Sequence, residues 1–169
     1  MRSLALILAL LLSGCGLLPE LKDETAGWSA NRLYSAAKEA MGDGSYDKAV
    51  NYFEILESRY PYGRYAQQAQ IEIAYAYYKA NEPASAIAAC DRFIKLHPNH
   101  PNVDYVYYLK GLVNFNEDLG VLGYISMQDQ SERDPMAARD AFAAFKELVA
   151  KYPDSKYAPD ATARMKYLV

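Results

Sequence analysis

Residues 65–98, YAQQAQIEIAYAYYKANEPASAIAACDRFIKLHP, read as two amphipathic helices broken at Asn81-Glu82-Pro83. In the first half, Ala69, Ile73, Ala74 and Tyr77 recur at a spacing that puts them on one helical face. In the second half, Ala86, Cys90, Phe93 and Ile94 share a face. Pro83 suits a first helical turn, where its missing N–H goes unused. His97-Pro98 marks the end, because proline cannot continue a helix.

The second half recurs. An alanine is followed by apolar residues four and seven positions later and by a proline twelve later in Ala49, Phe53, Leu56, Pro61; in Ala86, Cys90, Phe93, Pro98; and in Ala141, Phe145, Leu148, Pro153. Ala37 and Ala74 each stand twelve residues before a repeat alanine, where a small side chain allows close helix packing. This is the tetratricopeptide (TPR) signature, a helix–turn–helix of about 34 residues. One hairpin cannot bury its apolar face alone and stacks on the next. The expected fold is all-α: a right-handed superhelical α-solenoid of TPR hairpins.

Outward from that stretch, residues 1–14 stand apart. Arg2 precedes the apolar run 4–12, which is too short for a membrane span of roughly 20 residues and reads as a secretory signal. Leu12-Ser13-Gly14-Cys15 resembles a bacterial lipobox, in which cleavage precedes the cysteine and the cysteine is acylated; an ordinary signal with an incidental cysteine is the alternative. On the first reading Cys15 carries an N-acyl diacylglycerol, and multiple chains anchor stably because each buried CH₂ adds about 0.8 kcal/mol. Gly16, in place of the Asp that commonly retains lipoproteins at the inner membrane, points to the outer membrane. Residues 15–29 read as a tether, and Trp28 as a cap on the first repeat, with contact to lipid or a partner as the alternative.

TPR 1 is expected over 30–63, with Leu33, Ala36, Ala37 and Ala40 inward, Gly42 and Gly44 ending its first helix and Ser45 capping the second. TPR 2 covers 64–100, since Pro61 and Pro98 lie 37 residues apart. TPR 3 covers 101–155. Its helices are expected over 103–115 and from Asp134-Pro135, and the 55 residues from Pro98 to Pro153 leave an insert of about 116–133. An insert this long is usually functional or disordered, and Val121, Leu122, Tyr124, Ile125 and Met127 argue against plain disorder. It either folds back on its repeat or holds a partner. Residues 156–169 read as the first helix of an incomplete fourth TPR, which suggests a piece of a longer protein.

The sequence holds 18 basic and 21 acidic residues, and loss of Arg2 with the leader leaves a net charge of −4. A weakly acidic chain without a basic cluster argues against nucleic acid as a partner. With Cys15 lipidated, Cys90 has no partner in the chain. It stands where the other repeats have Phe53 and Phe145 and reads as a small core residue rather than a reactive thiol. His97 and His100 lie in a proline-flanked loop without further ligands, so a metal site is not expected. No phosphate loop, nucleophile elbow or metalloprotease motif is present. Pairs such as Asp47/Glu54 and Glu117/Asp118 read as solvated faces. No enzyme and no cofactor beyond the lipid are expected.

Sixteen tyrosines are the unusual feature. Tyrosine combines a large apolar body with a hydrogen-bonding tip, which suits peptide recognition. In TPR stacks the first helices line the concave groove. Periodicity turns Tyr34, Tyr75, Tyr78, Tyr105 and Tyr108 toward it and puts Tyr62 and Tyr65 at a repeat junction, though any of them can instead fill inter-repeat packing, as Tyr77 is expected to do. With Asn31, Gln67, Gln68 and Lys79 such a groove accepts an extended segment bearing aromatic side chains.

The strings RYPYGRYAQQAQIEIAYAYYK, DRFIKLHPNHPNVDYVYYLKGL, SERDPMAARDAF and YPDSKYAPDATARM resemble the BamD (ComL) family of outer-membrane β-barrel assembly lipoproteins, from the lipobox to Val169. The resemblance implies a subunit of the barrel-assembly (BAM) machine that is lipid-anchored at the periplasmic face of the outer membrane. It implies five repeats, the first ones binding C-terminal targeting strands of unfolded outer-membrane proteins. The later repeats would contact the periplasmic domains of the barrel subunit and other BAM lipoproteins. This chain ends before most of that docking region. A different periplasmic TPR adaptor, serving cell-envelope or peptidoglycan machinery, is the alternative.

Overall fold

The computed structural model describes residues 23–115 and 135–169; the leader, Cys15 and the insert lie outside the described residues. Among the described residues seven helices follow in order: α1 (Ala30–Gly42), α2 (Tyr46–Arg59), α3 (Arg64–Lys79), α4 (Pro83–Leu96), α5 (Val103–Phe115), α6 (Pro135–Lys151) and α7 (Ala158–Tyr167). No strand occurs among the described residues. Each helix packs on its neighbour in sequence, and α3 also touches both α1 and α5. The fold is an all-α stack of TPR-type hairpins in which α1, α3 and α5 lie side by side.

The repeat residues form its core. Ala49, Phe53, Leu56, Ala86, Cys90, Phe93, Ala141, Phe145 and Leu148 are all fully buried, as are Ala37 and Ala74. Two apolar clusters result. One joins Leu33, Ala37, Phe53 and Leu56 to Ala66, Ala69 and Ile73 of α3. The other joins Ile71 and Ala74 of α3 to Phe93, Val106, Leu109, Phe145 and Ala161. Ile94, expected beside Phe93, is only half-buried.

The first two hairpin turns share one backbone solution. At the end of α1, Gly44 adopts φ +75°, its N–H bonds Met41 O (3.1 Å), and the Ser45 N–H bonds Ala40 O (2.8 Å). At the end of α3, Asn81 adopts φ +59°. There the Asn81 N–H bonds Tyr78 O (3.2 Å) and the Glu82 N–H bonds Tyr77 O (2.9 Å). Both are Schellman closures, which need a left-handed residue and are filled by Gly or Asn. Gly44 and Asn81 are 37 positions apart, the same period as the prolines.

One local expectation changes. Ser45 occupies the N-cap of α2, but its side chain makes no cap bond, because its backbone is committed to closing α1. The serine that does cap is Ser29, whose Oγ accepts the Arg32 N–H of α1 at 3.3 Å. Trp28 is half-buried against the first cluster, 5.8 Å from Tyr52, and the Arg32 guanidinium lies 4.2 Å over its ring. It covers the end of the stack, as expected.

α5 and α6 meet where Gly111 faces Phe145. A Cβ at Gly111 would stand 2.3 Å from Phe145 Cε1, whereas one at Gly42 would meet nothing within 4 Å. Gly111→Ala is expected to cost about 1–3 kcal/mol through overpacking, against the helix-propensity gain that the same change brings at an open site. Urea denaturation checks this, with Gly42→Ala expected to be neutral or mildly stabilising.

Candidate functional site

The side-by-side first helices leave a cleft of about 660 Å³. Lys38 comes from α1; Gln68, Ile71, Glu72 and Tyr75 from α3; and Pro101, Asn102, Asp104 and Tyr105 from the start of α5 and the turn before it. The α6–α7 connection closes one side with Asp154, Ser155, Lys156 and Tyr157.

Glu72 organises the α1–α3 wall. Its Oε1 accepts from Tyr34 (3.2 Å) and Gln68 (3.2 Å), and its Oε2 accepts from Lys38 (3.0 Å). Tyr34 therefore turns its hydroxyl to α3 while its ring packs edge-on to Phe53 at 5.6 Å and beside Tyr65 at 5.3 Å. Burial, then the Glu72 carboxylate, pushes the Tyr34 hydroxyl up to about 12.

Tyr157 organises the opposite wall. Its ring stacks on Tyr108 at 4.8 Å and leans on Tyr105 at 5.4 Å, and the Lys156 ammonium lies 5.0 Å from the Tyr157 centroid. Ser155 Oγ donates to Asp104 Oδ2 at 2.6 Å, which ties the connection to α5. Tyr108 donates to Asp160 Oδ2 at 2.6 Å. Burial first, then that bond, pushes Tyr108 up to about 12. Asp160 is held below the usual carboxylate range: burial opposes this, but the bonds from Tyr108 and Arg164 outweigh it. Tyr105 is pushed well above the ordinary tyrosine range, chiefly by burial.

The seven tyrosines singled out from the sequence therefore divide. Tyr75 and Tyr105 line the cleft directly. Tyr34 and Tyr108 border it through Glu72 and Tyr157. Tyr78 packs on Tyr75 at 6.3 Å within the second cluster, and Tyr65 belongs to the first; neither lines the cleft. Tyr62 is wholly exposed on the α2–α3 connection. Of the four polar residues, Gln68 alone lines the cleft; Asn31, Gln67 and Lys79 are exposed elsewhere. Tyr157 is the wall residue that periodicity missed. It precedes its helix, where the 3.6-residue phase carries no information; its similarity in position to Tyr65 was the available signal.

Away from the cleft, Cys90 is buried, and burial pushes its thiol up to about 12, which suits a core role. His97 and His100 flank Phe93 at 5.0 and 5.2 Å, and His97 Nε2 pairs with Gln70 Oε1 at 3.0 Å. Among the described residues no group of three His, Cys, Asp or Glu is placed to hold a metal, and no helix is long and apolar enough to cross a membrane. The cleft offers aromatic faces, hydroxyl tips, two ammonium groups and three carboxylates. That set suits an extended peptide, whose backbone needs hydrogen-bonding partners and whose side chains need apolar pockets.

A family profile described as Outer membrane lipoprotein (YfiO) matches residues 27–169. The outer membrane protein assembly factor BamD of Neisseria meningitidis serogroup B is 51% identical over 169 residues, covering 98% of this chain and 63% of that protein. This chain belongs to the BamD family of outer membrane lipoproteins. BamD of Neisseria gonorrhoeae is 53% identical over 145 residues, 86% of this chain and 54% of that protein. BamD of Vibrio cholerae serotype O1 is 38% identical, covering 97% and 67%. The chain thus spans between 54% and 63% of the length of the Neisseria BamD proteins.

Tyr34 and Tyr108, which border the cleft, set an alkaline limit. Both have folded-state values above the ordinary 10, so the unfolded chain loses these protons first. Their contribution to stability is complete below pH 10 and is lost as pH rises through about 12. Alkaline unfolding followed by circular dichroism is expected to show this loss, and Tyr34→Phe with Tyr108→Phe to reduce its steepness.

Proposed function

We propose that this chain is the substrate-receiving part of a non-enzymatic lipoprotein subunit of the outer-membrane β-barrel assembly machine. It is held at the periplasmic face of the outer membrane by an N-acyl diacylglycerol on Cys15. It binds C-terminal strands of unfolded outer-membrane proteins and scaffolds their insertion. Its partners are the periplasmic domains of the barrel subunit and the other lipoproteins of the machine. The observation that carries this reading is the tyrosine-walled cleft on the first-helix face of a BamD-family chain.

Binding there follows from physical chemistry. An extended strand brings unpaired backbone groups, and Gln68, Asn102 and the lysines can pair with them. Its aromatic side chains find Tyr75, Tyr105 and Tyr157, where ring contacts add about 0.5–1.5 kcal/mol beyond area burial. The wholly exposed Tyr62 on the α2–α3 connection, beside Tyr65 at the start of α3, is where the strand would continue past the cleft.

Photoreactive residues at Tyr62, Tyr75 and Tyr105 are expected to crosslink a peptide of a barrel protein's C-terminal strand. A well-folded protein that gives no crosslink at any of the three would instead support a scaffold that binds folded partners. Tyr62→Ala with Tyr65→Ala is expected to weaken the peptide by roughly tenfold, about 1–2 kcal/mol, the usual cost of truncating aromatic anchors. Helicity should be unchanged. Unaltered affinity in a folded double variant would remove the α2–α3 connection from the site.

A further inference from the structure

Residues 23–28 read as the end of a flexible tether, yet they lie against the C-terminal end of α2. Arg59, the last residue of that helix, holds them. Its guanidinium donates to Thr25 O (2.5 Å), to Thr25 Oγ1 (2.8 Å) and to the Asp23 carboxylate. Asp23 Oδ1 in turn accepts the Thr25 N–H (2.9 Å) and hydroxyl (2.6 Å). One residue past α2, the Tyr60 hydroxyl donates to Trp28 O at 2.8 Å. Thr25, 4% exposed, is the buried polar residue among those described. Its burial is tolerated because both its hydroxyl and its carbonyl are paired. A cation at this helix end also suits the negative pole of the macrodipole.

We propose that residues 23–28 form a clasp that ends the lipid tether at α2 and so sets the height of the first hairpin above the membrane. The inference rests on the reading of Cys15 as the lipid-bearing residue. With the clasp closed, eight residue steps separate Cys15 from Asp23, and an extended chain covers them in at most about 26–29 Å. With Arg59's hold lost and Trp28 still packed on the first cluster, the tether runs thirteen steps to Trp28 and reaches about 43–47 Å. Arg59 thus shortens the reach of the anchor by more than a third. The α2–α3 connection, with the wholly exposed Tyr62, directly follows Arg59 and shares this limit. The clasp thereby limits how far the α2 end, and the cleft with it, can stand from the bilayer that holds the lipid.

The test uses the lipidated full chain on phospholipid vesicles, with a donor dye at Ser58→Cys beside the clasp and a headgroup-labelled acceptor lipid. Arg59→Ala is expected to lower energy transfer and broaden its distribution. Amide exchange at residues 23–28 should accelerate by about tenfold or more, the effect of losing a hydrogen bond to a charged group. Exchange elsewhere in α1 and α2 should hold. If Arg59→Ala reduces helicity, Thr25→Ala carries the same two measurements. Unchanged exchange overturns the clasp. Released residues 23–28 with unchanged transfer overturn its role in setting height. The mass of the mature N-terminus reads the anchor separately: absence of acyl chains would refute lipidation and the height derived from it, while exchange still reports on the clasp.

Discussion

The stack depends on α3 being buried on two sides at once. Ala66, Ala69, Ile73 and Ala76 belong to the first cluster, Ile71 and Ala74 to the second. A helix between two others can bring both close only if its contact residues are small, and four of these six are alanine. Dispersion grows with the number of close atom pairs, so the loss of side-chain bulk is offset by nearer backbones. The rings that fill the gaps, Phe53, Phe93 and Phe145, come from the second helices with Leu56 and Leu148, while Leu33 and Leu109 come from α1 and α5. Alanine on one helix and a large ring on the next is the division of labour that repeats from hairpin to hairpin, and Gly111 against Phe145 is its extreme case.

The cleft is a by-product of that packing. With α1 and α5 both seated on α3, the first helices form one continuous face, and whatever the packing does not use is presented there. Tyrosine is the residue that can stand at this boundary. Its ring joins the core while its hydroxyl finds a carboxylate, as Tyr34 does with Glu72 and Tyr108 with Asp160. Both bonds cross between helices, so the rings and acids that shape the cleft also fix the relative positions of neighbouring hairpins. Glu72 has Lys38, Gln68 and Tyr34 around it and is therefore a satisfied acid in a half-buried place, which costs far less than an unpaired one.

Charge elsewhere acts locally. Arg92 pairs with Glu57 and Lys110 with Asp91, linking α4 to α2 and α5 to α4 across the outer surface. In each pair one side chain, Arg92 or Asp91, is more than half exposed, so each pair contributes at most about 1 kcal/mol. They favour one register of stacking rather than supply the energy of it.

Much of the architecture was legible in the residues alone. A period in sequence becomes a face in space without tertiary information, so Ala49, Phe53 and Leu56 and their counterparts could be named as core, and Gly44 as a helix end. The tyrosine face was legible in outline for the same reason. Periodicity, however, reports a residue's phase on its own helix and nothing about what approaches that face. Only the tertiary structure decided that Tyr78 and Tyr65 are taken up by packing and that Tyr157 enters the cleft from a connection. Only the tertiary structure decided that Thr25 lies under Arg59, 34 residues away in sequence. Those outcomes depend on which helix ends meet, and that is set by the packing of α3 between its neighbours.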